Sequence, residues 1–177
     1  REYKEGLGQI MKEGIEENWS GEVDGVYIKV NVIMGASNTN RVIEINLNES
    51  SGAAGSTGNH MKGSADINFV NPLNINEVSA NEKAHYIDRF QRTCEHEIVG
   101  HVVANLVDTY TGGVNSTKPL NQESIASVMN EQAPYHPQKV DLAFLLFNYK
   151  RSRFGSQIQY GDYPDILDKY APGWKYE

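Results

Sequence analysis

The residues best equipped for chemistry fall in one run, Glu95-His96-Glu97-Ile98-Val99-Gly100-His101. Two imidazoles with a carboxylate beside the first are the ingredients of a metal-assisted hydrolase: neutral imidazoles suit zinc, and a glutamate next to a ligand can take a proton from water. The spacing departs from the familiar zinc helix, whose histidines stand four apart and so lie about 40° apart around the axis, whereas five residues give about 140°. A regular helix would aim the two rings apart. One wide turn with i to i+5 hydrogen bonding restores their convergence, and Gly100, which has no Cβ, is where the distortion fits. The spacing therefore predicts a wide turn within 97–101. Without supporting residues, the same grouping reads equally well as a solvated helix face.

Support comes from downstream, where the chain continues Val102-Val103-Ala104-Asn105-Leu106-Val107-Asp108-Thr109-Tyr110. From His96 to Tyr110 it resembles the zincin metallopeptidases, above all the IgA-peptidase type, in which a Gly-His pair is followed by a small residue, a glycine, a leucine and Asp-x-Tyr. The resemblance implies that His96, His101 and Asp108 bind Zn²⁺, with the fourth position left to water, and that Glu97 is the general base. Asn105 stands where relatives have glycine, and Asp-Thr-Tyr where they often have Asp-Glu-Tyr; neither departure removes a ligand. Geometry adds a condition. Seven residues of unbroken helix would carry Asp108 about 10 Å past His101, against a zinc–oxygen bond of about 2.0–2.2 Å, so the helix must stop near Asn105, a residue type that tolerates the left-handed turn required. Ala126-Ser127-Val128-Met129-Asn130 is similar to the Ser-Ile-Met-Asn turn beneath the metal in these peptidases, with Met129 a hydrophobic floor and not a ligand. The motif also resembles that of dipeptidyl peptidase III, whose third ligand comes from a separate glutamate motif not found here.

The resemblance implies a zinc metallopeptidase that acts on protein or peptide substrates, in a secreted or cell-surface setting. In such an enzyme the metal brings the pKa of its water towards about 7, and Glu97 accepts the proton and passes it to the leaving amine. Two alternatives stand beside it: a metalloprotease toxin module of a larger polypeptide, prompted by the opening REYKEG and the Trp19-Ser20-Gly21 junction, and a non-catalytic zincin-like binding domain. Of the other reactive residues, Cys94 reads as a buried small hydrophobe. His136 reads as a loop-surface histidine, the alternative being an electrophile or substrate contact at the cleft; Tyr110 and Tyr135 are candidate oxyanion donors, and Glu95 is either solvated or orients an imidazole.

Around these residues the chain reads as a single α+β domain spanning 1–177. Leu7, Ile10, Met11, Ile15 and Trp19 recur at helical spacing, predicting a first helix over 3–19. Alternation predicts strands over 26–33, 42–47 and 65–70, the last as the cleft-edge strand on which an extended peptide would pair; the Gly-, Ser- and Asn-rich 48–63 reads as a surface loop. Ser79-x-x-Glu82 is a capping box opening a long helix near Ala80, and a last large helix covers 138–150 with Pro137 in its first turn. With 177 residues, 39% of them hydrophobic and 22% charged, the composition is globular, and no apolar run approaches the roughly 18 residues of a membrane span. A net charge of −7 with scattered basic residues argues against nucleic acid, and a single cysteine, Cys94, excludes an intramolecular disulfide and any multi-cysteine metal knuckle.

Overall fold

The computed structural model describes residues 2–35, 42–50, 55–75, 78–109, 120–121, 125–130, 135–151 and 157–176. Its architecture is mixed α+β. Helix α1 (Glu2–Asn18) buries Leu7, Met11 and Ile15, with Trp19 just beyond its end. A hairpin follows, β1 (Gly21–Val23) antiparallel to β2 (Val26–Ile28), turned by Asp24 and Gly25 at φ of 53° and 72°. Both left-handed positions suit the tight turn that matches strand twist, which is why Asp-Gly sits there.

The strand expected over 26–33 stops at Ile28 as a ladder. The amide of Val30 donates to Ser20 Oγ (3.1 Å) and that of Val32 to Glu16 Oε1 (2.7 Å). The alternating residues thus run extended along α1, with their donors taken by side chains.

The main sheet has the order β3-β5-β4. Strand β3 (Glu44–Glu49) is parallel to β5 (Ser64–Phe69), and β4 (Thr57–Asn59) is antiparallel to it. This corrects one expectation: the strand at 64–69 is central, and the edge is β4, inside the segment that reads as a loop. Ala65, Ile67 and Phe69 of β5 point into the core, where the Phe69 ring lies 5.0 Å from that of Phe90.

Helix α2 (Ala80–Cys94) opens with the expected capping box, Glu82 N–H donating to Ser79 Oγ at 3.3 Å and Ser79 N–H to Glu82 Oε2 at 2.9 Å. It then widens without a break into a π-helix over Glu95–Val103. This continuous helix is the spine of the fold, with α1 packed on one side and β4 and β5 on another. The π-helix ends as the sequence requires. Ala104 N–H bonds Val99 O (2.8 Å), Leu106 N–H bonds Gly100 O (2.9 Å), and Asn105 sits at φ 53° to reverse the chain.

Helix α3 (Lys139–Lys150) is buried along most of its length, and Gln138 is its cap, so Pro137 precedes the helix instead of lying in its first turn. A further helix, α4 (Pro164–Tyr170), lies in the tail and packs on α3. Proline at the first helical position followed by an aspartate was its signal.

Strand β4 sits so close to the π-helix that only glycine fits at 58. A Cβ there would lie 2.2 Å from Glu97 O and 2.7 Å from His101 Cβ. Gly58→Ala should therefore push the strand off the helix and cost about 1–3 kcal/mol, a fall in Tm of roughly 3–10 °C for a chain of this size, measured by calorimetry against wild type.

Candidate metal centre

The wide turn decides where the two histidines point. With i to i+5 hydrogen bonding, five residues make close to one turn, and His96 and His101 come onto the same face with ring centroids 4.7 Å apart. Gly100 lies beneath them: a Cβ on it would meet Met129 Sδ at 2.3 Å, so the buried methionine occupies the space that any other side chain at 100 would need. The turn at Asn105 then brings Asp108 back. Its Oδ1 lies 3.0 Å from His96 Nε2 and 3.3 Å from His101 Nε2, and one ligand atom from each of the three residues lies within 4.8 Å of the others.

The other nitrogen of each ring fixes its tautomer. His96 Nδ1 lies 2.8 Å from Val128 O, and His101 Nδ1 lies 2.8 Å from Leu106 O. A carbonyl only accepts, so both Nδ1 atoms carry hydrogen, and each ring in its neutral form presents a lone pair at Nε2. Those lone pairs face Asp108 Oδ1, a buried carboxylate oxygen that receives no donor hydrogen bond, as does Glu97 Oε2, 3.9 Å from His101 Nε2. With both rings neutral these are several acceptors aimed at one point, mutually repulsive unless positive charge, a metal ion or a proton on an imidazole, lies between them. His96, His101 and Asp108 could thus hold a metal ion.

The electrostatics of the site carry the same demand for positive charge. Burial alone would push the His96 imidazole down, but Asp108 and Glu97 outweigh it and raise its pKa to about 8. Burial would raise Asp108, but the two imidazoles hold it well below the carboxylate range. Glu97 goes the other way: burial dominates and its pKa is raised, although the histidines oppose this and the backbone N–H of Gly58 donates to the carboxylate. Asp108 and Glu97 are thus two carboxylates on one site driven apart in proton affinity, one suited to remain an anion and one suited to exchange a proton.

The turn carrying Val128 is held from below by Asp141, whose carboxylate is fully buried on α3. It accepts from Ser127 Oγ (2.5 Å), Tyr160 Oη (2.6 Å), Val128 N–H (3.1 Å) and Gln138 N–H (2.6 Å). Burial raises its pKa against these donors, which favour the anion. Asp141 therefore fixes the carbonyl that orients His96, a part that nothing in its own sequence neighbourhood signalled.

Other expected residues fall elsewhere. Cys94 is fully buried and burial pushes its thiol up, as a small hydrophobe would behave. Glu95 is neither solvated nor turned to a ligating ring. It is fully buried, accepting from Asn18 Nδ2 (2.8 Å) and from His136 Nδ1 (2.7 Å). His136 also meets Asp88 Oδ1 through Nε2 at 2.9 Å, so it is an imidazolium clamp between α1, α2 and the approach to α3, with no part in the cleft. Tyr135 is exposed and is not among the described residues lining the cleft, and Tyr110 lies outside the described residues. The cleft over the centre, about 470 Å³, is bounded by β4, the end of α2 and the 128–130 turn. Among the described residues no helix is long and apolar enough to cross a membrane.

Comparison of the chain with protein-family models, characterised proteins and solved structures finds no match.

Two outcomes test this geometry. A divalent metal ion should bind stoichiometrically and be lost in Asp108→Ala, and a chelator should lower the Tm of the wild type but not of the variant, because ligand binding to the native state adds to stability; elemental analysis with thermal melts reads both. Separately, the hydrogen bond with Glu95, against the opposing effect of burial, lifts the His136 pKa from 6.5 to about 9. A raised pKa stabilises the fold fully below about 6.5, and the contribution fades as pH climbs through about 9. The Tm difference between wild type and His136→Gln should accordingly be large at pH 6 and shrink towards pH 10.

Proposed function

We propose that this chain is a zinc-dependent metallopeptidase of zincin type, secreted or at the cell surface, acting on protein or peptide substrates through His96, His101 and Asp108 as ligands and Glu97 as general base. The observation that carries it is the half-buried convergence of two Nε2 atoms and Asp108 Oδ1 beside a second carboxylate oxygen, Glu97 Oε2, which no donor satisfies. Three protein ligands with room for a fourth partner describe a catalytic zinc site better than a structural one, which is closed by four. Zinc held there supplies a Lewis acid that polarises a carbonyl and acidifies water.

The chain's own residues do the rest. Glu97 has its backbone in the helix beside His96, and the Gly58 N–H holds its carboxylate, leaving Oε2 facing the centre. Its raised proton affinity suits it to take a proton from water as the carbonyl is attacked and to return it to the leaving amine. Asp108 stays anionic throughout and balances the charge of the metal. Strand β4, at the sheet edge beside the cleft, is the strand along which an extended substrate would pair, the part first expected of 65–70.

A binding domain without catalysis needs the metal ligands but no poised base, so the buried unsatisfied Glu97 oxygen favours the enzyme. Glu97→Gln keeps shape and removes the base. The variant should retain zinc and Tm while its turnover of a mixed peptide library falls by ~10²–10⁴-fold. Equal turnover in the two proteins would sink the mechanism, and zinc binding without turnover in either would leave the binding domain.

A further inference from the structure

One wall of the cleft is basic. Arg89, Arg92, Thr93 and His96 all line it, and on the helix they stand at i, i+3, i+4 and i+7, which stacks them on one face as a ridge leading away from the metal centre. Seven residues of helix place Arg89 about 10 Å along the axis from His96. The facing wall is Gly55, Ser56 and Thr57, which bring no charge. Among the described residues lining the cleft, the only carboxylates are Glu97 and Asp108, both at the metal centre. Arginine is the side chain best shaped to take a carboxylate through two parallel N–H donors.

An extended peptide advances about 3.3 Å per residue, so 10 Å spans about three residues. We propose that the Arg89–Arg92 ridge makes this cleft selective for peptides bearing a carboxylate within three residues of the scissile bond, supplied by an acidic side chain or by the chain's own C-terminus. This rests on the peptidase reading for the nature of the ligand. The chain's net charge of −7 does not oppose it, because charges on distant surfaces are screened beyond about 8 Å at physiological salt, while a ligand in the cleft meets the arginines at contact.

The test separates the preference from the chemistry by measuring binding to zinc-loaded Glu97→Gln protein with fluorescence anisotropy. The probes are capped peptides, identical except for Glu, Gln or Lys at one of the three positions on either side of the bond, together with an all-Gln peptide whose C-terminus is free or amidated. A Glu peptide, or the free-terminus form, should bind about tenfold tighter than its neutral counterpart, the effect of one charge-assisted contact, and Lys should bind more weakly than Gln. Which of the two gains identifies the source of the carboxylate. Adding Arg89→Glu should invert the Glu-to-Lys order, and Arg89→Gln should bring the Glu-to-Gln ratio towards one. Equal affinities across the set, or a Glu preference that survives both Arg89→Glu and Arg92→Gln, would overturn the proposal. Wild-type turnover of the all-Gln peptide with no Glu preference would leave the peptidase reading standing, whereas a preserved preference with no turnover of any peptide would remove that reading and keep the selectivity.

Discussion

Two imidazoles five residues apart can share one partner only if the helix between them carries one residue more per turn, and the site depends on that widening. Hydrogen bonds of the i to i+5 kind are a poorer arrangement than the α-helical ladder, so a run over Glu95–Val103 persists only where its surroundings favour it. Here they do so from several sides. Met129 fills the space against Gly100, β4 lies against the helix at Gly58, and Asn148 Nδ2 donates to Ala104 O at 2.6 Å where the wide turns end. Each contact is with an element distant in sequence, so the distortion belongs to the assembled fold and not to the segment alone.

The second pillar is a carboxylate that never meets the cleft. Asp141 gathers four donors from the 127–128 turn, the start of α3 and Tyr160, and thereby fixes the position of Val128 O. A buried carboxylate with fewer partners would be costly, but one satisfied on both oxygens is rigid. Rigidity at Val128 passes directly to the His96 ring through one hydrogen bond.

How much of this was legible depends on how local the cause was. The five-residue spacing called for a wide turn, and the need to return Asp108 called for a reversal at Asn105; both are properties of a dozen consecutive residues, and both features are present. The capping box of α2 and the helices α1 and α3 were legible for the same reason, whereas α4 in the tail was not among the expected elements. Strand β4 was not, because Thr57-Gly58-Asn59 has no apolar alternation and becomes a strand only through pairing with β5 and contact with the π-helix. The clamp of His136 on Glu95 joins positions 41 apart, and no periodicity announces it. The extended stretch after Ile28 shows the converse: its pattern suits a strand, yet side chains of α1 and the loop after it claim its amides. Nothing local marks the cleft residues of α2, Arg89, Arg92 and Thr93, because their types and spacing are those of any polar helix face.

The acceptors that orient the two imidazoles are main-chain carbonyls, those of Val128 and Leu106. In many metal sites that task falls to a carboxylate side chain, which a single substitution can delete. Here no side-chain replacement at 106 or 128 removes the oxygen itself, since every amino acid carries one. The ring orientation is thus insulated from point mutation at its own contacts and exposed only to changes that move the backbone. In a lineage of such chains these two positions would be free to drift among residues of similar volume, and the inheritance of the site would be carried by the path of the chain more than by the identity of its neighbours.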